Sequence, residues 1–277
     1  MFGFWKSWSF VVVLTGLLLW AGWTWGHRDG LLWAVPVVLG INYFLLIHSR
    51  WRVLPNTAER PLEGSDGWNL TKCLQALCAK AKIRPPNVMV IEITTPQAFV
   101  IGRLSRFSTI YVTQGFLDRL DAKEREAILA LQVATLKNNL QFNFLIIGAF
   151  FDMVFWFLTR VDTGIAWVIG ARKKRFRAIT LWLFLPLLLL IQRCCLSPRD
   201  YYHLDAQAAE LCGDREALCR ALWKLESSSF TQPLELHPAW SHVFAVGPFQ
   251  PRGALGRLQP QPSAKRRIFQ LNGSFPV

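Results

Sequence analysis

Residues 8 to 25, WSFVVVLTGLLLWAGWTW, carry no charged side chain over a length that crosses a bilayer as a helix. A second apolar run, residues 31 to 49, follows after only Gly26, His27, Arg28, Asp29 and Gly30. A secretory signal has a shorter apolar core and a small-residue cleavage site, so the pair is expected to be an uncleaved hairpin anchor with a tight loop at 27 to 30. Pro36 and Gly40 are tolerated in such a helix. Arg50 and Arg52, with Lys6, place both ends of the hairpin on the positively flanked, cytoplasmic side.

Two further apolar stretches lie deeper in the chain, 141 to 159 and 178 to 192. Between them runs Arg172-Lys173-Lys174-Arg175-Phe176-Arg177. If all four segments span, this basic cluster falls on the outer face against the positive-inside tendency; if the last two form a re-entrant or interfacial hairpin, it stays inside. Asp152 sits in the middle of the third stretch, where a lone carboxylate must face other helices, be protonated or meet a cation such as Arg160 or Arg193. It is therefore a candidate intramembrane polar site, with a structural role as the competing reading.

The net charge of +13 in a chain that is 52% hydrophobic and rich in Trp and Phe suits basic flanks facing anionic headgroups. It does not suit a nucleic-acid partner, since no basic stripe interleaved with aromatics lies on a recognisable nucleic-acid fold. The bilayer is the expected partner. Cys73, Cys78, Cys194, Cys195, Cys212 and Cys219 form no C-x-x-C pair and are expected as free thiols.

The soluble part begins after a turn-rich linker, residues 54 to 67. An amphipathic helix is predicted over 68 to 83, ended by Pro85 and Pro86. Three short strands follow, Val88 to Ile93, Ala98 to Gly102 and Thr109 to Thr113. Next comes Lys123 to Asn139, KEREAILALQVATLKNN, a helix capped by Asp121 with Glu124 three residues on, apolar on one face and wet at its ends. This helix is expected to cover the sheet and to run directly into the third apolar stretch.

The frame of this helix resembles the zinc helix of the membrane metallopeptidases of the HtpX and CAAX prenyl-protease type, roughly E-x-E-A-V-L-A-H-E-x-A-H-x-K-N. Glu126, Ala127, Ile128, Leu129, Ala130, Ala134, Lys137 and Asn138 fit it. The segment PPNVMVIEITTPQAFVIGRLSRFSTIYVTQGFLDRLD is similar to the family's strand, N-A-F-x-x-G and T-x-G-L-L blocks, through Ala98, Phe99, Gly102, Thr113, Gly115 and Leu117, with Gln97 in place of Asn. A third block, E-x-x-x-D-x-x-A-A, is matched by Asp205, Ala208 and Ala209. Residues 214 to 226 and Pro262 to Leu271 are similar to the closing helix and the H-P-P-x-x-x-R-I-x-x-L tail, with Arg267, Ile268 and Leu271 in register and Gln261 where the last His would be.

The resemblance implies an α+β fold: a multi-pass membrane protein with a zincin-like helix and small-sheet domain, divided as 1–52 (anchor hairpin), 53–140, 141–196 (second hairpin) and 197–277. It also implies zinc held by H-E-x-x-H and a Glu, and a sheet edge that takes substrate as an added strand, here Gln97, Ala98, Phe99, Val100, Ile101 and Gly102. The decisive positions depart from that pattern. Leu131, Gln132 and Thr135 stand for His, Glu and His, and Tyr201 stands for the ligand Glu. Leu131 has no donor atom, Thr135 is a poor ligand, and an amide is no base. Asp200 and His203 do not replace the lost pair, and His237 and His242 read as exposed loop residues.

The sequence therefore predicts a pseudoprotease with no cofactor, a binding or regulatory protein of the inner (plasma) membrane whose soluble part is cytoplasmic. Its partner would be an unfolded polypeptide segment, a membrane protein or another protease. The alternatives are an active zinc endopeptidase of membrane-protein quality control with unrecognised ligands, and a structural subunit of an envelope complex.

Overall fold

The computed structural model describes residues 2–45, 59–62, 67–102, 105–168, 179–232, 238–247 and 261–273. The basic cluster 172–177, Arg50, Arg52, His237, most of the 54–67 linker and the end of the second apolar run lie outside the described residues. All six cysteines are free thiols.

Helix α1, Phe2–Tyr43, is two antiparallel halves broken at Gly26 and His27, the latter at φ 48°. The turn is one residue earlier and tighter than the expected 27–30 loop, because Arg28, Asp29 and Gly30 are already helical. The halves touch without side chains at Gly22 and Gly30: a Cβ on Gly30 would sit 1.9 Å from the Gly22 carbonyl oxygen. Asn42 donates to the Thr15 hydroxyl across the hairpin at 3.1 Å. Around the turn Trp23, Trp25 and Trp33 are exposed, as interfacial anchors are.

A four-stranded sheet follows, in the order β1-β2-β4-β3. Strands β2 (Asn87–Ile91) and β4 (Thr109–Thr113) are parallel, whereas β1 (Glu59–Pro61) and β3 (Ala98–Ile101) flank them antiparallel. Strand β1 corrects the reading of residues 54 to 67 as linker throughout; Pro61 lies on an outer strand, where a missing N–H breaks no ladder. Helix α2, Leu70–Ala81, is shorter at both ends than the predicted 68 to 83 and buries Leu70, Leu74 and Leu77. Gly102 and Gly115 are required by close approach: a Cβ would fall 2.5 Å from Ser108 Cα at the first and 1.9 Å from the Thr94 carbonyl oxygen at the second. Thr113 caps the short helix α3, Gln114–Arg119, by accepting from Phe116 N, and also donates to the Thr95 carbonyl.

Helix α4, Ala122–Lys137, starts at the expected Asp121–Glu124 capping box. It is not amphipathic in place: nearly every residue from Ala127 to Leu136 is buried, and Glu124, expected at a wet end, is buried as well. Strand β3 and helices α2, α7 (Pro198–Cys212) and α8 (Arg215–Thr231) surround it. Glu124 is tolerated because Lys224 of α8 donates to its carboxylate at 2.8 Å.

The chain then turns at Asn138 and Asn139, the latter at φ 54°, so α4 does not continue into α5, Leu140–Val168. Asparagine is among the few residues that enter this left-handed region readily. The first half of α5 is buried in the protein and the second half emerges, with Trp156, Phe157 and Trp167 exposed. A short 3₁₀ segment, Pro238–Val243, packs on α5, and the Trp240 ring lies over Gly148. Helix α6, Ile179–Cys195, returns the chain to α7, and α9, Ala264–Asn272, closes the body against α7 and α8.

A Cβ on Gly148 would meet Trp240 ring carbons at 2.4 Å, whereas one on Gly164 of the same helix meets nothing within 4 Å. Gly148→Val should therefore destabilise the protein by about 1–3 kcal/mol through overpacking. Gly164→Val should leave the melting temperature of the detergent-solubilised protein unchanged, and the pair of melts checks the contact.

Candidate functional site

A helix brings i, i+1 and i+4 onto neighbouring positions, so Leu131, Gln132 and Thr135 point to one side of α4. On α7, Tyr201 and Asp205 are likewise one turn apart. The two helices pack so that Leu131, Gln132, Thr135 and Tyr201 meet around a cavity of about 20 Å³, closed by Phe244 and Arg267. That is room for about one water. The four positions singled out in the sequence are thus brought together.

Their polar atoms are engaged elsewhere. Gln132 donates to the Ala98 carbonyl of β3 at 3.2 Å, tying helix to sheet. The Thr135 hydroxyl bonds back to Leu131 O at 2.9 Å. Tyr201 donates to the His242 carbonyl at 3.3 Å, and burial pushes its pKa well above the ordinary phenol value, with Arg267 opposing. Asp200 is used in the capping box of α7 with Ser197, and the exposed His203 pairs with Gln207. Among the described residues no three His, Cys, Asp or Glu side chains gather as a metal would require. Zinc, which the family implies, does not fit the donor set at this cavity: one aliphatic chain, one amide, one helix-bonded hydroxyl and one buried phenol.

Beneath the cavity lies a buried ion pair whose two partners, each 1% exposed, had been matched to the family pattern but not to each other. Arg267 of α9 meets Asp205 through Nε at 2.8 Å and Nη2 at 2.5 Å, and its Nη1 donates to Ala245 O.

The sheet edge at Gln97–Gly102 is present but not bare. β3 is an outermost strand of the sheet, yet Gln97 through Gly102 are buried. The chain's own Phe244 bridges Phe99 antiparallel, and Ala245 N donates to Ala98 O at 3.1 Å. Asp152, 2% exposed, belongs to another place: it faces the anchor hairpin across a cavity of about 410 Å³ lined by Val37, Gly40, Ile41 and Trp156.

His242 corrects the sequence reading most clearly. It is buried, not exposed, because the 3₁₀ segment carries it under α5, and no periodic pattern in the tail signals this. Its Nε2 lies 2.8 Å from Phe144 O, which can only accept, so the proton sits on Nε2 and Nδ1 accepts from the Gln192 amide at 3.0 Å.

No protein-family model matches the chain. A protease HtpX homolog of Pelotomaculum thermopropionicum is 26% identical over 273 residues, which covers 96% of this chain and 97% of the relative. One from Thermococcus sibiricus is 28% identical over 269 residues, covering 93% and 91%. The crystal structure of S. mikatae Ste24p superimposes with a TM-score of 0.50 at 18% identity, over 96% of this chain and 64% of that one. The fold, helices around a small sheet with long apolar helices, is Ste24-like. Over nearly its whole length the chain is similar to these HtpX-type proteases, and that likeness, with the Ste24-like fold and the long apolar helices, supports the HtpX and CAAX prenyl-protease type family and a place in the membrane.

Burial depresses the His242 pKa from 6.5 to about 4, its bond to Phe144 O opposing. The neutral ring is the folded form, so its contribution is complete above pH 6.5 and is lost as pH falls to 4. The loss over that window is about 3 kcal/mol. Melting curves from pH 7 to 4 should show a steeper acid limb for the wild type than for His242→Gln.

Proposed function

We propose that the chain is a catalytically inactive member of its family, a pseudoprotease that works as a binding or regulatory protein. The observation that carries this is the convergence of Leu131, Gln132, Thr135 and Tyr201 at one small cavity, where none can serve as metal ligand or general base. Gln132 keeps the hydrogen-bonding reach of a glutamate without its charge, and here it acts as a strut to Ala98 O. An amide neither deprotonates a water nor returns a proton to a leaving amine.

The body around the cavity is fully formed, with helices, sheet and a buried ion pair in place, which supports retention of a zincin-like fold for recognition. The apolar hairpin and α5 support a multi-pass protein of the inner (plasma) membrane with its soluble part on the cytoplasmic side. Its partner is an unfolded polypeptide segment or another membrane protein, and no nucleic acid or cofactor takes part.

Detergent-purified protein, dialysed against trace-metal buffer, should contain no zinc above the buffer blank by mass spectrometry and should leave casein intact. Stoichiometric zinc, with chelator-sensitive casein cleavage that Gln132→Ala abolishes, would show the protein to be an active endopeptidase of membrane-protein quality control instead.

A further inference from the structure

The cavity beside Asp152 is separate from the α4–α7 site and from the β3 edge. Its volume of about 410 Å³ is that of a small-molecule site. The second limb of the hairpin forms one wall with Val37, Gly40 and Phe44, and α5 forms the other with Asp152 and Trp156. The first limb runs alongside α5 in the same direction: Trp8 meets Phe142 at 6.1 Å between ring centroids, and Phe10 meets Phe150 at 5.0 Å. The second limb folds back at Gly26 and His27 and so runs against α5. Val37 and Trp156 then lie toward the middle of the bilayer, and Phe44 and Asp152 lie where α5 leaves the protein body.

Polarity changes along the cavity in the same direction. Asp152, 2% exposed, is the one charged group among the described lining residues. The deep end is apolar, and Val37 and Trp156 are about half exposed, so the cavity opens sideways to lipid. Arg160, eight residues on and about 12 Å further along α5, holds its guanidinium over the Trp156 ring at 5.1 Å. A second cation is disfavoured at that end and favoured at the Asp152 end. An acid at the shallow end above an apolar wall matches a cationic amphiphile in the orientation that a bilayer imposes.

Size narrows the class further. At roughly 30 Å³ for a water-sized group, the space takes about fourteen heavy atoms. That is one alkyl chain of moderate length with its head group, not the two chains of a phospholipid. No cation among the described lining residues is placed to meet a phosphate.

We propose that this cavity is a binding site for long-chain alkylamines. The ammonium group donates to the Asp152 carboxylate, and the chain lies between the second limb and α5 against Val37 and Trp156. A carboxylate accepts from several donors at once, so the ammonium adds to whatever else Asp152 meets. The apolar surroundings strengthen such a charge-assisted bond. The site is remote from α4 and holds whether or not the chain is catalytic.

The test uses the full chain in phosphatidylcholine nanodiscs, labelled with a dodecylamine that carries a photoreactive diazirine on its chain and mapped by mass spectrometry. Label is expected within residues 37–44 and 152–156. Dodecylamine should displace it at least about tenfold better than dodecanol, which lacks the charge, and dodecanoate should not displace it. Phosphatidylethanolamine added to the disc should compete far less than dodecylamine. A Cβ on Gly40 meets nothing within 4 Å, so a larger side chain enters the cavity without striking the backbone. Gly40→Leu should therefore melt as the wild type does and lose the label, while Gly164→Leu keeps it.

Asp152→Asn should erase the preference for dodecylamine over dodecanol. If that variant shows no melting transition, the head-group series on the wild type and the Gly40 variant decide. Equal displacement by dodecanol, label outside the two segments, or label that survives Gly40→Leu overturns the proposal. Competition by phosphatidylethanolamine equal to that of dodecylamine also overturns it, because the ligand would then be a diacyl lipid.

Discussion

Arg267 and Asp205 are both removed from water, and a buried guanidinium and carboxylate are tolerable only while they hold each other. Everything near the cavity depends on that pairing. It joins α9 to α7, and through Nη1 it also fixes the Ala245 carbonyl, so the chain's end, its middle and the segment on β3 share one set of charges. Removing either partner leaves an uncompensated charge in the core, at about 3–5 kcal/mol. By contrast, the pair between Arg60 and Glu92, both half-exposed or more, adds little to stability.

Helix α4 shows what such anchoring permits. A helix with its apolar residues on one face would sit on the sheet and leave the other face wet; α4 is instead enclosed by α2, α7, α8 and β3. Polar groups inside that enclosure must be matched one by one. Glu124 has Lys224 and the Asp121 N–H, Gln132 has Ala98 O, and Asn138 has Gln207. On α7, Tyr201 is held by neighbours outside α4: it stacks on Phe144 of α5 at 5.8 Å and donates to the His242 carbonyl of the 3₁₀ segment.

What the sequence made legible was local. The cap at Asp121, the presence of a helix ahead of Pro85, though it stops at Ala81, the strand 109–113 and the meeting of residues 131, 132, 135 and 201 follow from short-range pattern or from family spacing. Gly102 and Gly115 were legible as motif residues, and the structure gives their reason in backbone approach. The misses were contacts made at long range. Glu124 lies 100 residues from Lys224, and His242 lies 98 from Phe144 and 50 from Gln192, so nothing in their neighbourhoods announces burial. Strand β1 is three residues containing a proline, below any periodic signal, and exists because β2 offers it a ladder. The corner at Asn138–Asn139 was hidden by apolar residues on both sides, which look like one continuous helix until Asn139 adopts a positive φ.

The cover on β3 answers a constraint that any outer strand imposes. Any outer strand with free main-chain groups invites pairing with another chain, and proteins cover such strands with their own loops. Here Trp240 fits its groove against Gly148, and both ring nitrogens of His242 are engaged, by Phe144 O and Gln192. Further on, Gln261, Arg267 and Gln97 hold the carbonyls of Phe244, Ala245 and Val246, so the segment is tied to the body along its length. The bridge of Phe244 to Phe99 and the bond from Ala245 N to Ala98 O therefore seal the outer strand with the chain's own backbone.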